Sequence, residues 1–230
     1  MIKHPAFVII ASLICIIAGI YLDSSYIEIF ASVMGVINVW LIARQKLINF
    51  LFGAITVSCF MYIFFTSGLY AMVILSILQL WFNVYGYYYW FKNKGAEDVA
   101  PTRRLTSKEI MMWTGVILLA TAIWALIQVK FTDASSPYLD ALIAVMGLVA
   151  QYLLSKKILE NWHLWIMMGI IMSVVYFTTG LYVMILLNII NLFICVDGLL
   201  EWKRDYEAAK NHVLPDPSVK GDTNPGPAGA

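Results

Sequence analysis

The chain has 230 residues, 61% of them hydrophobic and only 13% charged, where soluble domains carry roughly a quarter charged residues. That balance excludes an ordinary water-soluble core and points to an all-α polytopic membrane protein. Fifteen Lys and Arg stand against 14 Asp and Glu, a net charge of +1, so charge gives no basis for a nucleic-acid partner or an acidic substrate.

A spanning helix needs about 20 mostly apolar residues. The first candidate, 7–22, follows a short basic start and so resembles a secretory leader. Its apolar stretch is long for a leader and no small-x-small site follows it, so a retained helix is expected. Spans at 27–43, 48–65 and 69–90 come next, joined by "RQKL" and "TSG", links short enough to demand helical hairpins. A charged loop and a span at 110–129 lead to three more spans, 138–154, 162–177 and 181–202. The expected divisions are an N-terminal helix (1–25), a three-helix unit (26–95), a loop with a linker helix (96–135), a second three-helix unit (136–206) and a tail (207–230). Pro, Gly and Asp in that tail predict disorder.

Eight spans place Lys130 on one side and the other fourteen Lys and Arg, from Lys3 to Lys220, on the opposite side. Lys and Arg collect in cytoplasmic loops, so both termini are expected in the cytoplasm. Cys15, Cys59 and Cys195 are scattered through apolar segments, which suits packing better than a disulfide or a metal site.

Sliding the chain by 112 positions aligns residues 30–90 with 142–202 at 18 identities in 61 positions. Val33, Met34 and Gly35 match Val145, Met146 and Gly147; Asn49 matches Asn161; Gly86 and Trp90 match Gly198 and Trp202. One extra span between the copies restores the orientation of the first, so the repeat is parallel, with a pseudo-two-fold axis along the membrane normal.

Ser76, Gln79 and Asn83 recur at i, i+3 and i+7 and therefore share one helix face. Their repeat mates are Asn188, Asn191 and Cys195, with Asp197 two residues on. Unpaired amides facing lipid cost several kcal/mol, so these stripes are expected to line a solute path; amide glue between helices is the alternative. Carboxamides donate and accept, suiting a neutral or weakly charged solute. Trp162 and Trp165 stand one turn apart, where flat rings can stack on a planar, even cationic, heterocycle; interfacial anchoring is the rival for Trp162. Tyr87, Tyr88, Tyr89 and Trp90 read as an interfacial belt. The matched pair Asn49 and Asn161 joins the candidate lining. No phosphate-binding loop, metal cluster or nucleophile–base arrangement occurs, so neither an enzyme nor a cofactor is expected. No acid or base lies near a bilayer centre, where ion-coupled carriers usually hold one.

The stretches "INFLFG" (48–53), "GLYAM" (68–72), "NVYGYYYW" (83–90) and "KKILENWHLW" (156–165) are similar to the PnuC family of bacterial vitamin transporters, and the three-plus-one-plus-three plan resembles the SWEET architecture. The likeness covers roughly 27–203. It implies facilitated uptake of nicotinamide riboside across the bacterial inner membrane by alternating exposure of a central site, with trapping through phosphorylation by a separate cytoplasmic kinase. The family's Trp-x-x-Trp motif falls on Trp162 and Trp165, and its polar positions fall near Gln79, Asn83, Asn188 and Asn191. The chain departs from the pattern at Ser76, where a glutamine is frequent, and at Asp197, where an asparagine is. Sister carriers of thiamine or riboflavin, an ion-coupled carrier and a non-transporting membrane scaffold are the other readings, and an oligomer is compatible with the sequence.

Overall fold

The computed structural model describes residues 4–67, 70–95, 99–131, 136–178, 180 and 182–213. They form eight helices: α1 (Pro5–Tyr21), α2 (Tyr26–Ala43), α3 (Asn49–Thr66), α4 (Tyr70–Lys92), α5 (Ser107–Phe131), α6 (Pro137–Ser155), α7 (Asn161–Thr178) and α8 (Tyr182–Val213).

Helix starts follow local chemistry. At α2 the Ser25 hydroxyl accepts from the Glu28 amide while the Glu28 carboxylate accepts from the Ser25 amide at 2.7 Å, a reciprocal capping box. Thr106 and Glu109 repeat it at α5, and Pro137 opens α6, where a missing N–H costs nothing. The tight turns after α2 and α6 each pass through one left-handed residue, Gln45 and Lys157, both at φ 56°. These two positions are repeat mates.

Among the described residues, α2, α3, α5, α6, α7 and α8 are long and apolar enough to cross a membrane. Helix α1 has 17 residues, and the carboxamides and tyrosines of α4 lower its hydropathy. The outer surface is apolar, with Ile17, Ile74, Trp81, Leu118, Leu126, Val174 and Phe193 exposed. Such a belt is stable against lipid, and the helices satisfy their own backbone groups.

Helices α2, α3 and α4 pack in succession, as do α6, α7 and α8. The two units meet where α4 packs on α6 and α2 packs on α8, contacts that the repeat exchanges. The linker helix α5 rests on α6, and α1 rests on α2 and α8. Helix α1 therefore occupies, beside α2, the place that α5 holds beside α6.

Two features were not expected. Helix α8 continues to Val213, past the expected span end at 202 and into the segment read as a disordered tail. Its extension is held by Arg204 pairing with Glu201 at 2.6 Å and by Gln45 donating to Asp205. The remainder of the tail, 214–230, lies outside the described residues. The loop before α5 is also ordered as a strap across the α6–α7 turn: Arg103 N donates to Lys157 O at 3.0 Å, Leu159 N to Arg103 O at 2.9 Å, and Leu105 N to the Glu160 carboxylate at 2.9 Å.

Candidate solute-binding site

Between the two units lies a cavity of about 430 Å³, within the range of small-molecule sites. Helices α2, α3 and α4 supply most of its wall; α6, α7 and α8 supply the rest, and α1 adds Cys15.

Six of the nine candidate residues line it: Gln79, Asn83, Asn191, Trp162, Trp165 and Asn49. Asn83 donates to the Gln79 carbonyl at 3.1 Å, which orients its Oδ1 toward Gly53 of α3. A Cβ at Gly53 would sit 2.5 Å from that oxygen, so glycine permits the approach. Asn49 is buried and donates to the Lys46 carbonyl at 2.7 Å, which ties it mainly to its turn.

The other three are placed elsewhere. Asn188 donates to Gly169 O at 2.6 Å and to Ser173 Oγ at 2.8 Å, so it fastens α8 to α7, the glue role of an amide in a membrane. Ser76 bonds back to Met72 O at 2.9 Å, and Asn161 donates to Ile158 O at 2.6 Å in the α6–α7 turn. Helical spacing puts Ser76 and Asn188 on the right faces, but Ser76 is satisfied by its own helix and Asn188 by α7. Asp197 is likewise engaged, pairing with Arg44.

Two lining carboxamides escaped the sequence reading, Asn38 of α2 and Gln151 of α6. The Oδ1 of Asn38 is buried with no hydrogen-bond partner. Each was a lone amide in an apolar span, which is a usable signal, but their repeat mates are Ala150 and Val39, so matching the two copies hid them.

Ile42 and Leu154, repeat mates, close one end of the cavity. Trp202 Nε1 donates to Ile42 O at 3.1 Å and Trp90 Nε1 donates to Leu154 O at 3.2 Å. Each bond crosses from one unit to the other. Trp90, which the sequence suggested for an interfacial belt, is 2% exposed and belongs to this floor. Phe50 meets Trp90 edge-on at 5.1 Å, and Trp162 meets Trp202 edge-on at 5.5 Å. Phe50 presses on Gly86 and Trp162 on Gly198, where a Cβ would lie 2.5–2.6 Å from a ring atom. Between Trp90 and Trp202 sits Lys157, fully buried, its Nζ 4.3 and 5.1 Å from the two ring centroids and donating to Ala100 O at 2.9 Å. Burial pushes this ammonium down to about 7, with Asp205 pulling weakly the other way.

An apolar helical bundle with a carboxamide and aromatic chamber enclosed between two duplicated units defines a multi-pass membrane protein with a central small-molecule site. The family described as "Nicotinamide mononucleotide transporter" matches residues 25–204, and the chain belongs to that family, whose members are transporters and not enzymes. Similar proteins include the nicotinamide riboside transporter PnuC of Escherichia coli, 28% identical over 210 residues and covering 80% of this chain and 87% of that one. The protein of the same name from Neisseria mucosa is 25% identical over 197 residues, covering 80% and 74%. The crystal structure titled as the vitamin B3 transporter PnuC shares the fold, with TM-score 0.71 and 21% identity over 87% of this chain and 90% of that one.

Proposed function

We propose that this protein carries nicotinamide riboside across the bacterial inner membrane by facilitated diffusion, exposing the central cavity to each side in turn. The observation that carries the reading is the make-up of the cavity wall: tryptophan rings and carboxamides, with no Lys, Arg, His, Asp or Glu among its lining residues. Rings of this kind stack on a pyridinium, and amides bind hydroxyl and carboxamide groups at about 1 kcal/mol net for each bond. A few such bonds plus stacking give affinity near 1 μM, about 8 kcal/mol. A phosphate dianion would find no cation in this wall and would be buried unpaired, which costs several kcal/mol. The riboside therefore fits better than the mononucleotide.

With no carboxylate, imidazole or amine among the lining residues, the wall has no group of the kind that proton-coupled carriers load, and the reading is uncoupled flux that stops at equal concentrations. Net uptake then depends on removal of the free solute inside, which phosphorylation by a cytoplasmic kinase accomplishes. The charge bias of fourteen to one supports both termini in the cytoplasm and, with them, the tryptophan floor at the cytoplasmic end of the path.

Proteoliposomes given labelled nicotinamide riboside test this directly. Saturable uptake that halts at equilibrium and ignores imposed ion gradients is expected, with thiamine, riboflavin and the mononucleotide competing weakly. Accumulation driven by a gradient without a kinase would overturn the uncoupled mechanism, and absence of saturable flux would overturn transport of this solute.

A further inference from the structure

Lys157 is fully buried where the two units close the cavity, between Trp90 of the first unit and Trp202 of the second. Its Nζ makes a single hydrogen bond, to Ala100 O at 2.9 Å. An ammonium has three donors, so the rest of this one has indole faces in place of water. The turn itself does not demand such burial. Gln45, the repeat mate, has the same φ of 56°, yet its uncharged side chain lies at the surface and donates to Asp205.

A charge stripped of water is costly to bury, and an apolar side chain of similar volume in its place is frequently stabilising. Two ring faces and one carbonyl offset part of that cost. The remainder falls on the closed floor alone, because parting Trp90 from Trp202 returns water to the ammonium. The indoles belong to different units, so no rearrangement that opens the floor leaves Lys157 as it is.

We propose that Lys157 is an opener built into the floor: its buried ammonium holds the closed floor close in free energy to the open one, so that the two units part readily in each transport cycle. This rests on the proposed transport and adds what sets the speed of the gate. A two-state element responds only to a difference between its states, and water on the ammonium is that difference.

Other charges near Lys157 have partners of their own. On α8, Asp205 faces it weakly while accepting from Gln45, and Arg204 pairs with Glu201. Arg44 at the end of α2 pairs with Asp197, and Lys156 and Lys92 lie over tyrosines of α4. In the strap, Arg103 and Arg104 pair with Glu109 and Glu160. Burial leaves Lys157 at about 7, against 10.5 when hydrated. The closed floor thus binds fewer protons than the open one, and rising pH favours closure.

The test measures exchange of labelled nicotinamide riboside across proteoliposomes with equal concentrations and equal pH on both sides. Wild-type exchange is expected to slow about tenfold between about pH 6 and about pH 8. Lys157→Met should exchange no faster at either pH than the wild type at the higher one, while melting higher and binding nicotinamide riboside within about twofold of wild type. Lys157→Arg, whose charge cannot be shed, should exchange equally fast at both. Wild-type speed at the lower pH in Lys157→Met, a lower melting temperature in that variant, or the same pH profile in all three proteins would overturn the proposal and leave transport intact. Absence of saturable exchange in the wild type would instead overturn the function on which it rests.

Discussion

At the floor of the cavity the two three-helix units present matched chemistry, whereas in the cavity wall the matched carboxamides Gln79 and Asn191 stand beside positions that differ. Trp90 on Leu154 and Trp202 on Ile42 are the same hydrogen bond made twice, and Phe50 on Gly86 repeats as Trp162 on Gly198. Even the basic residues after α2 and α6 keep their roles: Arg44 reaches Asp197 of the other unit, and its mate Lys156 lies 4.9 Å from the ring of Tyr85, the mate of Asp197. The wall instead sets Asn38 against Ala150 and Gly53 against Trp165. Symmetry is kept where the units fasten to each other and is broken at several positions that line the cavity, an asymmetry that suits the proposed nucleoside, which has one aromatic end and one polar end.

Removing either floor tryptophan tests the matched half. Trp90→Ala and Trp202→Ala should each lower unfolding free energy in detergent by about 3–5 kcal/mol, and by nearly the same amount. A large inequality would show that the floor is not shared evenly.

Lys157 is where the floor itself is unequal, because its mate Gln45 does not titrate. Its folded pKa, about 7, lies below the unfolded value of 10.5. Below about pH 7 the amine is protonated in both states and the cost of burying its charge is fully present. As pH rises from about 7 to about 9 the native state sheds this proton while the unfolded chain keeps it, so stability should rise by about 2 kcal/mol. Lys157→Met should flatten that rise, measured by denaturant unfolding at each pH.

The wall should respond in binding and not in stability. Trp165→Ala is expected to weaken nicotinamide riboside binding roughly tenfold, the worth of one stacking contact at about 1.4 kcal/mol per decade, as read by calorimetry. An unchanged affinity would move the aromatic subsite elsewhere.

The smallest effects concern Ser76 and Asn188, repeat mates with different work. Asn188→Leu should cost about 1 kcal/mol of stability by cutting α8 from α7, while affinity stays within about twofold. Ser76→Ala, which removes only a bond to its own helix, should change stability by less than about 0.5 kcal/mol. Thermal unfolding of both variants checks the contrast.

Six lining residues, Gln79, Asn83, Asn191, Trp162, Trp165 and Asn49, could be named from spacing, repeat matching and resemblance, because a polar or aromatic side chain on a spanning helix has few places to go. Spacing could not separate Asn191, which faces the cavity, from Asn188, which one turn away meets Gly169 and Ser173 of α7. Nor does spacing or the repeat mark Asn38, whose mate is Ala150 and which therefore has no polar counterpart in the second unit.

The order of the spans and the duplication follow from hydropathy, charge placement and identity at a fixed offset, which are properties of the linear chain. Which amide faces solute, which tryptophan seals the floor and why a lysine is buried between two indoles depend on the crossing of α4 with α6 and of α2 with α8. Those contacts join residues far apart in the chain, and a helix face is polar or apolar in sequence long before anything decides what stands opposite it.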